Sequence, residues 1–172
     1  AKQYYETLLD KGVKAPYIYS SLAGIYRDQK NNAKALEVIQ KGRATYPDTL
    51  GLAYDEINVL LAMGNTKDAS AVIEKVISRD PKNESLYLVL GNNYEQLANP
   101  RDESGKELPK PENSAAMMKM AADVYTQGLA VNPNNYGLNF NLGAYYFNIA
   151  AEQINAANAS KSDAESDKLR KQ

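Results

Sequence analysis

The sequence of 172 residues contains no cysteine, no histidine and no tryptophan. Without cysteine and histidine the chain has no disulfides, no thiol nucleophile, no Cys/His zinc site and no histidine general base. Neither the GxGxxG nor the GxxxxGK[ST] phosphate-binding motif occurs. Catalysis would have to rely on Asp, Glu, Lys, Ser or Tyr alone. We therefore expect a protein that is not an enzyme and has no catalytic residues, no cofactor and no metal site.

A strong charge of either sign and long apolar runs are also absent. The 20 basic and 21 acidic side chains give a formal net charge of −1, which does not favour binding to nucleic acid. No run of about 18 apolar residues is present, so we expect a soluble chain without a membrane span. A chain without cysteine fits the cytoplasm as well as the periplasm or the extracellular space, so the localisation is left open.

A period of 34 residues organises most of the chain. Pro47 and Pro81 are 34 residues apart, and each follows an apolar segment with helical periodicity. Twelve residues before these prolines and before Pro133 stands an alanine, and eight residues before them stands a large apolar residue: Ala35 and Ile39, Ala69 and Ile73, Ala121 and Tyr125. Because the spacing occurs three times in one phase, it indicates repeated structural units.

A second pattern fills the first half of each unit. At residues 87–94, YLVLGNNY places an aromatic residue, a leucine, a small residue and a tyrosine on one stripe of a helix. YSSLAGIY at residues 19–26 repeats this arrangement with Ala23 as the small residue. NFNLGAYY at residues 139–146 repeats it with Gly143, but has Asn139 in the aromatic position. The small residue lets a neighbouring helix come close, and the tyrosine fills the space beside it.

The combined pattern, (W/Y)-x2-L-G-x2-Y, then A-x3-(F/I/Y), then proline, resembles the tetratricopeptide repeat. The best match begins at Tyr87, and the poorest is the first helix of the unit at 50–83, where Glu56 takes the leucine position. The resemblance implies an all-α fold, a right-handed superhelix of antiparallel helix pairs whose first helices line a concave face. It also implies a non-catalytic protein that binds other proteins.

The repeat frame divides the chain into one continuous array. We predict the second helix of a truncated repeat at 1–15, complete repeats at 16–49 and 50–83, a repeat with an insertion at 84–135, and a partial repeat with an extended first helix at 136–172. The predicted helices are 1–12, 16–29, 32–46, 50–63, 66–79, 84–98, 114–131 and 135–158. Asn31 or Asn32, Thr66 and Ser114 are candidate N-caps, and Gly64 is a candidate helix stop.

The segment NPRDESGKELPKPENS at residues 99–114 interrupts the helical pattern. Pro81 and Pro133 are 52 residues apart, which is 18 more than one period. Residues 87–94 keep phase with Pro81 and Ala121 keeps phase with Pro133, so the excess falls between the two helices of one unit. Three prolines and seven charged side chains predict a solvated loop. The alternative is a loop that binds a partner or covers the groove.

Both ends of the array carry incomplete units. Residues 1–12 resemble a second helix without its first, and we expect its apolar surface to be covered in a longer parent protein or by another molecule. Because the chain begins with Ala1, we expect an excised or processed piece of that parent. Extended connections in two successive units resemble those of a subset of bacterial repeat proteins, especially from the Bacteroidetes.

The frame also nominates the residues of the concave face, where we expect a partner peptide to bind. The predicted groove residues are Tyr17, Ser20, Arg27, Tyr54, Asn58, Leu61, Leu88, Asn92, Glu95, Phe140 and Phe147. Asn58 and Asn92 occupy equivalent positions 34 residues apart, and their amides could pair with the backbone of an extended peptide. Alternatively, they bond to a neighbouring helix or to water.

One known activity of the family can be tested against these residues. Repeat domains that bind the C-terminal carboxylate of a chaperone use lysines at positions that Ser20, Tyr54 and Leu88 fill here. The sequence therefore does not support a carboxylate clamp, and the aromatic and aliphatic residues of the groove favour an apolar or aromatic partner segment. We expect a scaffold that binds a partner segment in this groove. The alternative is a structural repeat segment that packs within a larger chain, or self-associates through its terminal helices, without a peptide ligand.

Overall fold

The computed structural model describes the backbone of residues 1–102 and 104–170, and the side chains as far as residue 159 apart from residues 103 and 156. Within this part of the chain it contains eight α-helices and no named strand. They are α1 Lys2–Asp10, α2 Pro16–Asp28, α3 Asn32–Thr45, α4 Leu50–Ala62, α5 Thr66–Ile77, α6 Glu84–Ala98, α7 Ser114–Val131 and α8 Tyr136–Arg170. The predicted all-α class is confirmed, and α8 continues past the predicted end at residue 158.

Each helix packs against the next one along the chain, and the first helices α2 and α4, as well as α6 and α8, also touch. The buried apolar side chains form two clusters. One joins α2, α3 and the α3-facing side of α4, and the other joins α4, α5, α6, α7 and the start of α8. Because α4 contributes to both clusters, it connects the two halves of the array.

The small residues of the repeat pattern lie where helices approach most closely. A Cβ atom built on Gly91 would lie 2.1 Å from Cε1 of Tyr125, and one built on Gly42 would lie 2.7 Å from Cγ of Tyr19. The Tyr125 side chain is completely buried. Close packing of the α6 and α7 backbones therefore depends on the absence of a side chain at residue 91.

In the unit that matches the repeat pattern least well, an ion pair stabilises the glutamate at the leucine position. Glu56, which takes the position of a leucine, is buried, and its carboxylate accepts hydrogen bonds from Arg43 and from Gln40 Nε2, the latter at 3.4 Å. Both partners lie on α3, so the charge pair joins α3 to α4. A buried carboxylate needs such a partner, because an unpaired one would cost several kcal/mol.

The helix ends follow the sequence signals with two corrections. The Asn31 side chain caps α3 by accepting from the Lys34 amide at 3.2 Å. Helix α5 is capped by Asn65 and not by Thr66, because Gly64, with a φ of 68°, turns the chain one residue earlier. Ser114 does not cap α7: its hydroxyl donates to the carbonyl of Ala98 at 2.8 Å and ties the two ends of the insertion together.

The close approach at Gly91 predicts opposite effects for two glycine-to-alanine substitutions. Gly91→Ala should lower the free energy of unfolding by about 1–3 kcal/mol, because the new methyl group overlaps the Tyr125 ring in the core. Gly143→Ala on α8 should raise it by up to about 1 kcal/mol, because a Cβ there meets nothing within 4 Å and alanine favours the helix. Urea denaturation followed by circular dichroism measures both. Equal effects of the two substitutions would contradict this packing.

Candidate peptide-binding groove

The groove residues on α2 lie at the surface beside α4. Tyr17 and Arg27 are exposed and Ser20 is half-buried. Ser20 and Arg27 line a small cleft of about 60 Å³, together with Asp55 of α4. Sequence reasoning missed Asp55, because the helical stripe used to choose groove residues passes through its neighbour Tyr54.

The groove residues on α4 divide into a structural and an exposed group. The Tyr54 hydroxyl donates to Oδ2 of Asp80 at 2.9 Å and accepts from Nδ2 of Asn83 at 2.9 Å. Burial, followed by the Asp80 carboxylate, raises the pKa of Tyr54. Leu61 is half-buried against the core, whereas Asn58 is exposed. Only Asn58 presents its polar atoms to solvent, so Tyr54 serves first to hold the turn before α6.

The second asparagine of the predicted pair has a different role from the first. Oδ1 of Asn92 accepts from the Tyr125 hydroxyl at 2.9 Å and from Nδ2 of Asn141 at 2.8 Å. These bonds orient the amide, so that its NH₂ group is left for another acceptor. Leu88 is half-buried, and it lies beside Gly137 at the start of α8. Asn92 therefore bonds to the neighbouring helices α7 and α8, which is one of the two alternatives that the sequence left open.

The two phenylalanines of α8 lie away from these polar residues. Phe140 and Phe147 are 62% and 73% exposed, and the ring of Phe140 stacks on Tyr136 with the ring centroids 6.1 Å apart. The residues of α8 that meet the α6 groove are instead Asn141 and Asn148, each one position further along the chain. One residue corresponds to a rotation of about 100° around a helix, which sequence periodicity alone does not resolve.

Glu95 lines a cavity with a volume of about 900 Å³. The cavity is bounded by the end of α6, the turn before α5, Asn148 of α8 and the insertion. Its lining residues are Gly64, Thr66, Asn92, Glu95, Gln96, Leu97, Asn99, Pro100, Arg101, Glu107, Lys110 and Asn148. Of the predicted groove residues, the structure brings Asn92 and Glu95 together here.

The Glu95 carboxyl is half-buried in this cavity. Burial raises its pKa, and a hydrogen bond from the Tyr125 hydroxyl opposes the rise. The same hydroxyl also reaches Asn92, and its single hydrogen can serve only one acceptor at a time. The ionised form of Glu95 is therefore incompletely compensated by its neighbours.

The insertion borders the cavity while its own side chains face solvent. The described residues from Arg101 to Lys110 are exposed, in keeping with the predicted solvated loop. The backbone nevertheless folds back on itself, with the Asp102 amide donating to the Lys106 carbonyl and the Leu108 amide donating to the Pro100 carbonyl, both at 2.9 Å. The loop is thus both solvated and part of the groove wall, a combination that composition did not reveal.

The raised pKa of Glu95 predicts a pH-dependent effect of Glu95→Gln. A carboxyl whose pKa is higher in the folded than in the unfolded chain favours folding below its ordinary pKa of 4.5, and this contribution is lost as the pH rises through the folded-state pKa. Glu95→Gln should therefore raise the melting temperature relative to the parent chain at pH 7, with the difference shrinking toward pH 4.

Thermal unfolding monitored by circular dichroism at pH 4 and pH 7 measures this difference. Glu112→Gln, which removes an exposed carboxylate from the same loop, controls for the change in net charge. A stabilisation by Glu95→Gln that is equal at both pH values, or equal to that of the control, would show that burial of Glu95 does not penalise its ionised form.

One family model and several solved structures are similar to this chain, and the similarity concerns its fold. Residues 58–83 match the sequence model of the tetratricopeptide repeat. No curated protein sequence is detectably similar to the chain. None of the described helices is both long enough and apolar enough to cross a membrane.

Several solved structures share the fold at low sequence identity. MamA (41-end) from Desulfovibrio magneticus RS-1 has a TM-score of 0.64 and 16% identity over 93% of this chain and 80% of that chain. Another MamA crystal structure gives 0.65 and 14% over 99% and 90%. TTC0263, a thermophilic tetratricopeptide-repeat protein from Thermus thermophilus, gives 0.56 and 18% over 79% and 66%. The chain is an all-α superhelix of antiparallel helix pairs with the fold of tetratricopeptide-repeat proteins.

Proposed function

We propose that this chain is a non-catalytic scaffold that binds an extended segment of another protein along the first helices α2, α4, α6 and α8. The observation that carries the proposal is the pair of amides at equivalent positions of two successive first helices, Asn58 on α4 and Asn92 on α6. Asn58 is exposed, and Asn92 is held by Tyr125 and Asn141 with no hydrogen bond from its NH₂ group to a described residue. An extended peptide backbone offers donors and acceptors that such amides can pair with.

The rest of the groove supports the same proposal. Tyr17 is 60% exposed at one end, where an aromatic ring provides contact area with little loss of conformational entropy. The cavity beside Glu95 lies at the other end and is large enough for a side chain of the bound segment. A segment lying across α2, α4 and α6 would therefore meet aromatic, amide and carboxylate groups in turn.

A random dodecapeptide display library panned on the immobilised protein tests the proposal. Selected peptides, measured by fluorescence anisotropy, should bind the Tyr17→Ala/Asn58→Ala variant at least about tenfold more weakly, because two contacts of about 1 kcal/mol each are lost. Thr126→Ala/Gln127→Ala, which changes exposed residues of the second helix α7, is the matched control and should bind normally. The proposal fails if no peptide is enriched or if both variants bind as the parent does.

A second candidate function is structural, and the exposed face of α8 favours it. Of the twelve large hydrophobic side chains described as exposed, five lie on α8: Tyr136, Phe140, Tyr146, Phe147 and Ile154. Tyr146 is 59% exposed, whereas Tyr94 at the equivalent position of α6 is 7% exposed. Gly143 likewise faces open space, whereas Tyr125 fills the space beside Gly91. This face of α8 is therefore suited to packing against a helix of a larger assembly or of a second copy.

Self-association, the directly measurable form of this candidate, predicts a concentration-dependent mass. Multi-angle light scattering should show a mass above that of the monomer at high protein concentration. Tyr146→Glu or deletion of residues 1–12 should return the mass to that of the monomer, because each removes apolar contact area from a terminal helix. A monomeric mass of the parent chain at every concentration, or no effect of either change, would exclude self-association through these helices.

A further inference from the structure

The cavity beside the insertion is polar, and this limits what it can bind. Nine of its twelve lining residues carry polar side chains, and only Gly64, Leu97 and Pro100 do not. An aromatic or aliphatic side chain placed here would remove these polar groups from water without offering them hydrogen bonds, at a cost in free energy. The cavity therefore suits a polar or charged side chain, in contrast to the apolar segment that the groove composition predicted.

Two basic and two acidic side chains line the cavity, but neither of the two cations forms an ion pair with Glu95. Arg101, the arginine of the insertion, already has partners within the loop. Its Nη2 atom lies 2.7 Å from Oε1 of Glu107, and its Nη1 atom donates to the Gly105 carbonyl at 3.0 Å. Lys110 is exposed, where water screens its charge. Glu95 has no ion-pair partner among the described residues. The most buried charge that lines the cavity is thus a carboxylate without a cation.

The neighbours of Glu95 compensate its charge only in part. The hydroxyl of Tyr125 can donate its single hydrogen either to the Glu95 carboxylate or to Oδ1 of Asn92, which lies 2.9 Å away. Burial raises the pKa of Glu95, because the loss of water around the ionised form outweighs the hydrogen bond from the Tyr125 hydroxyl. A cation that enters the cavity would supply the missing partner, and a charge-assisted hydrogen bond formed there would be stronger than one in open solvent.

The insertion is held by hydrogen bonds at its tip and at its base. Oδ1 of Asp102 accepts from the amide of Ser104 at 2.9 Å and from the amide of Lys106 at 3.0 Å. Gly105 follows with a φ of 83°, which allows the tight turn. The other end is anchored by the bond from Ser114 to the Ala98 carbonyl. A loop held at its tip and its base does not have to be ordered when a ligand binds, which reduces the entropic cost.

We infer that this cavity receives a lysine or arginine side chain of the bound segment. Glu95 is the counter-ion, and the amides of Asn92 and Asn148 hold the backbone that flanks the basic residue. The inference rests on the proposed peptide-binding function and adds the specificity of one position. The cavity, the half-buried carboxylate and the fixed loop together make a basic residue preferable to a neutral one of similar shape.

The experiment compares charge on both sides of the contact. Peptides are selected from the dodecapeptide library on the parent chain, and each arginine or lysine in them is replaced in turn by the neutral residue citrulline. At one position, citrulline should weaken binding to the parent chain about tenfold, the effect of losing one charge-assisted hydrogen bond. The same replacement should have little effect on binding to Glu95→Gln. Glu112→Gln is the control and should keep the tenfold difference.

The outcomes separate this inference from the function on which it rests. If peptides bind in the groove but no position shows a citrulline effect that depends on Glu95, the cation pocket is wrong and the groove function stands. An equal citrulline effect in the parent chain and in Glu95→Gln leads to the same conclusion. If no peptide is selected, both the groove function and the cation pocket are wrong. Thermal unfolding of Glu95→Gln confirms that the variant is folded in each measurement.

Discussion

The packing of Tyr125 into the space beside Gly91 is the contact on which the rest of the array depends. It sets how closely α7 approaches α6, and a methyl group at residue 91 could not be accommodated without displacing the ring. The same ring carries the hydroxyl that donates to Asn92 and reaches Glu95. One buried tyrosine thereby fixes the spacing of two helices and the polar groups of the neighbouring groove.

The same kind of contact, a glycine against a large side chain of a neighbouring helix, occurs elsewhere in the array. Gly42 packs against Tyr19 in the α2–α3 pair, and Gly128 packs against Tyr87 and Leu138 where α7 meets the helices on either side. The hydroxyl of Tyr26 bonds to Glu6, and that of Tyr94 bonds to Glu74. Because these contacts recur, each helix pair buries its apolar face against the next pair, and the solenoid obtains a continuous core. On α8 the equivalent surface faces solvent, so its aromatic residues are exposed.

The insertion adds a feature that the repeats alone do not provide. Its turn is fixed by Asp102 and its base by Ser114, and it lies beside the last turn of α6. Together with α6 and α8, residues of the insertion line a cavity of about 900 Å³. The groove then differs along its length, with small and aromatic groups near α2 and a half-buried carboxylate near α8. This asymmetry would give the proposed bound segment a single direction along the groove.

The sequence by itself determined the helices, their order and the close contacts between small residues and tyrosines of neighbouring helices. These residues recur with a helical spacing and with a 34-residue period, which is typical of stacked helix pairs. The sequence also located the insertion between two helices of one unit. Only the tertiary structure decided that Tyr54 bonds to Asp80, that Asn148 and not Phe147 borders the cavity, and that the loop forms its wall. These features depend on helix rotation and on contacts between residues distant in sequence, to which periodicity is insensitive.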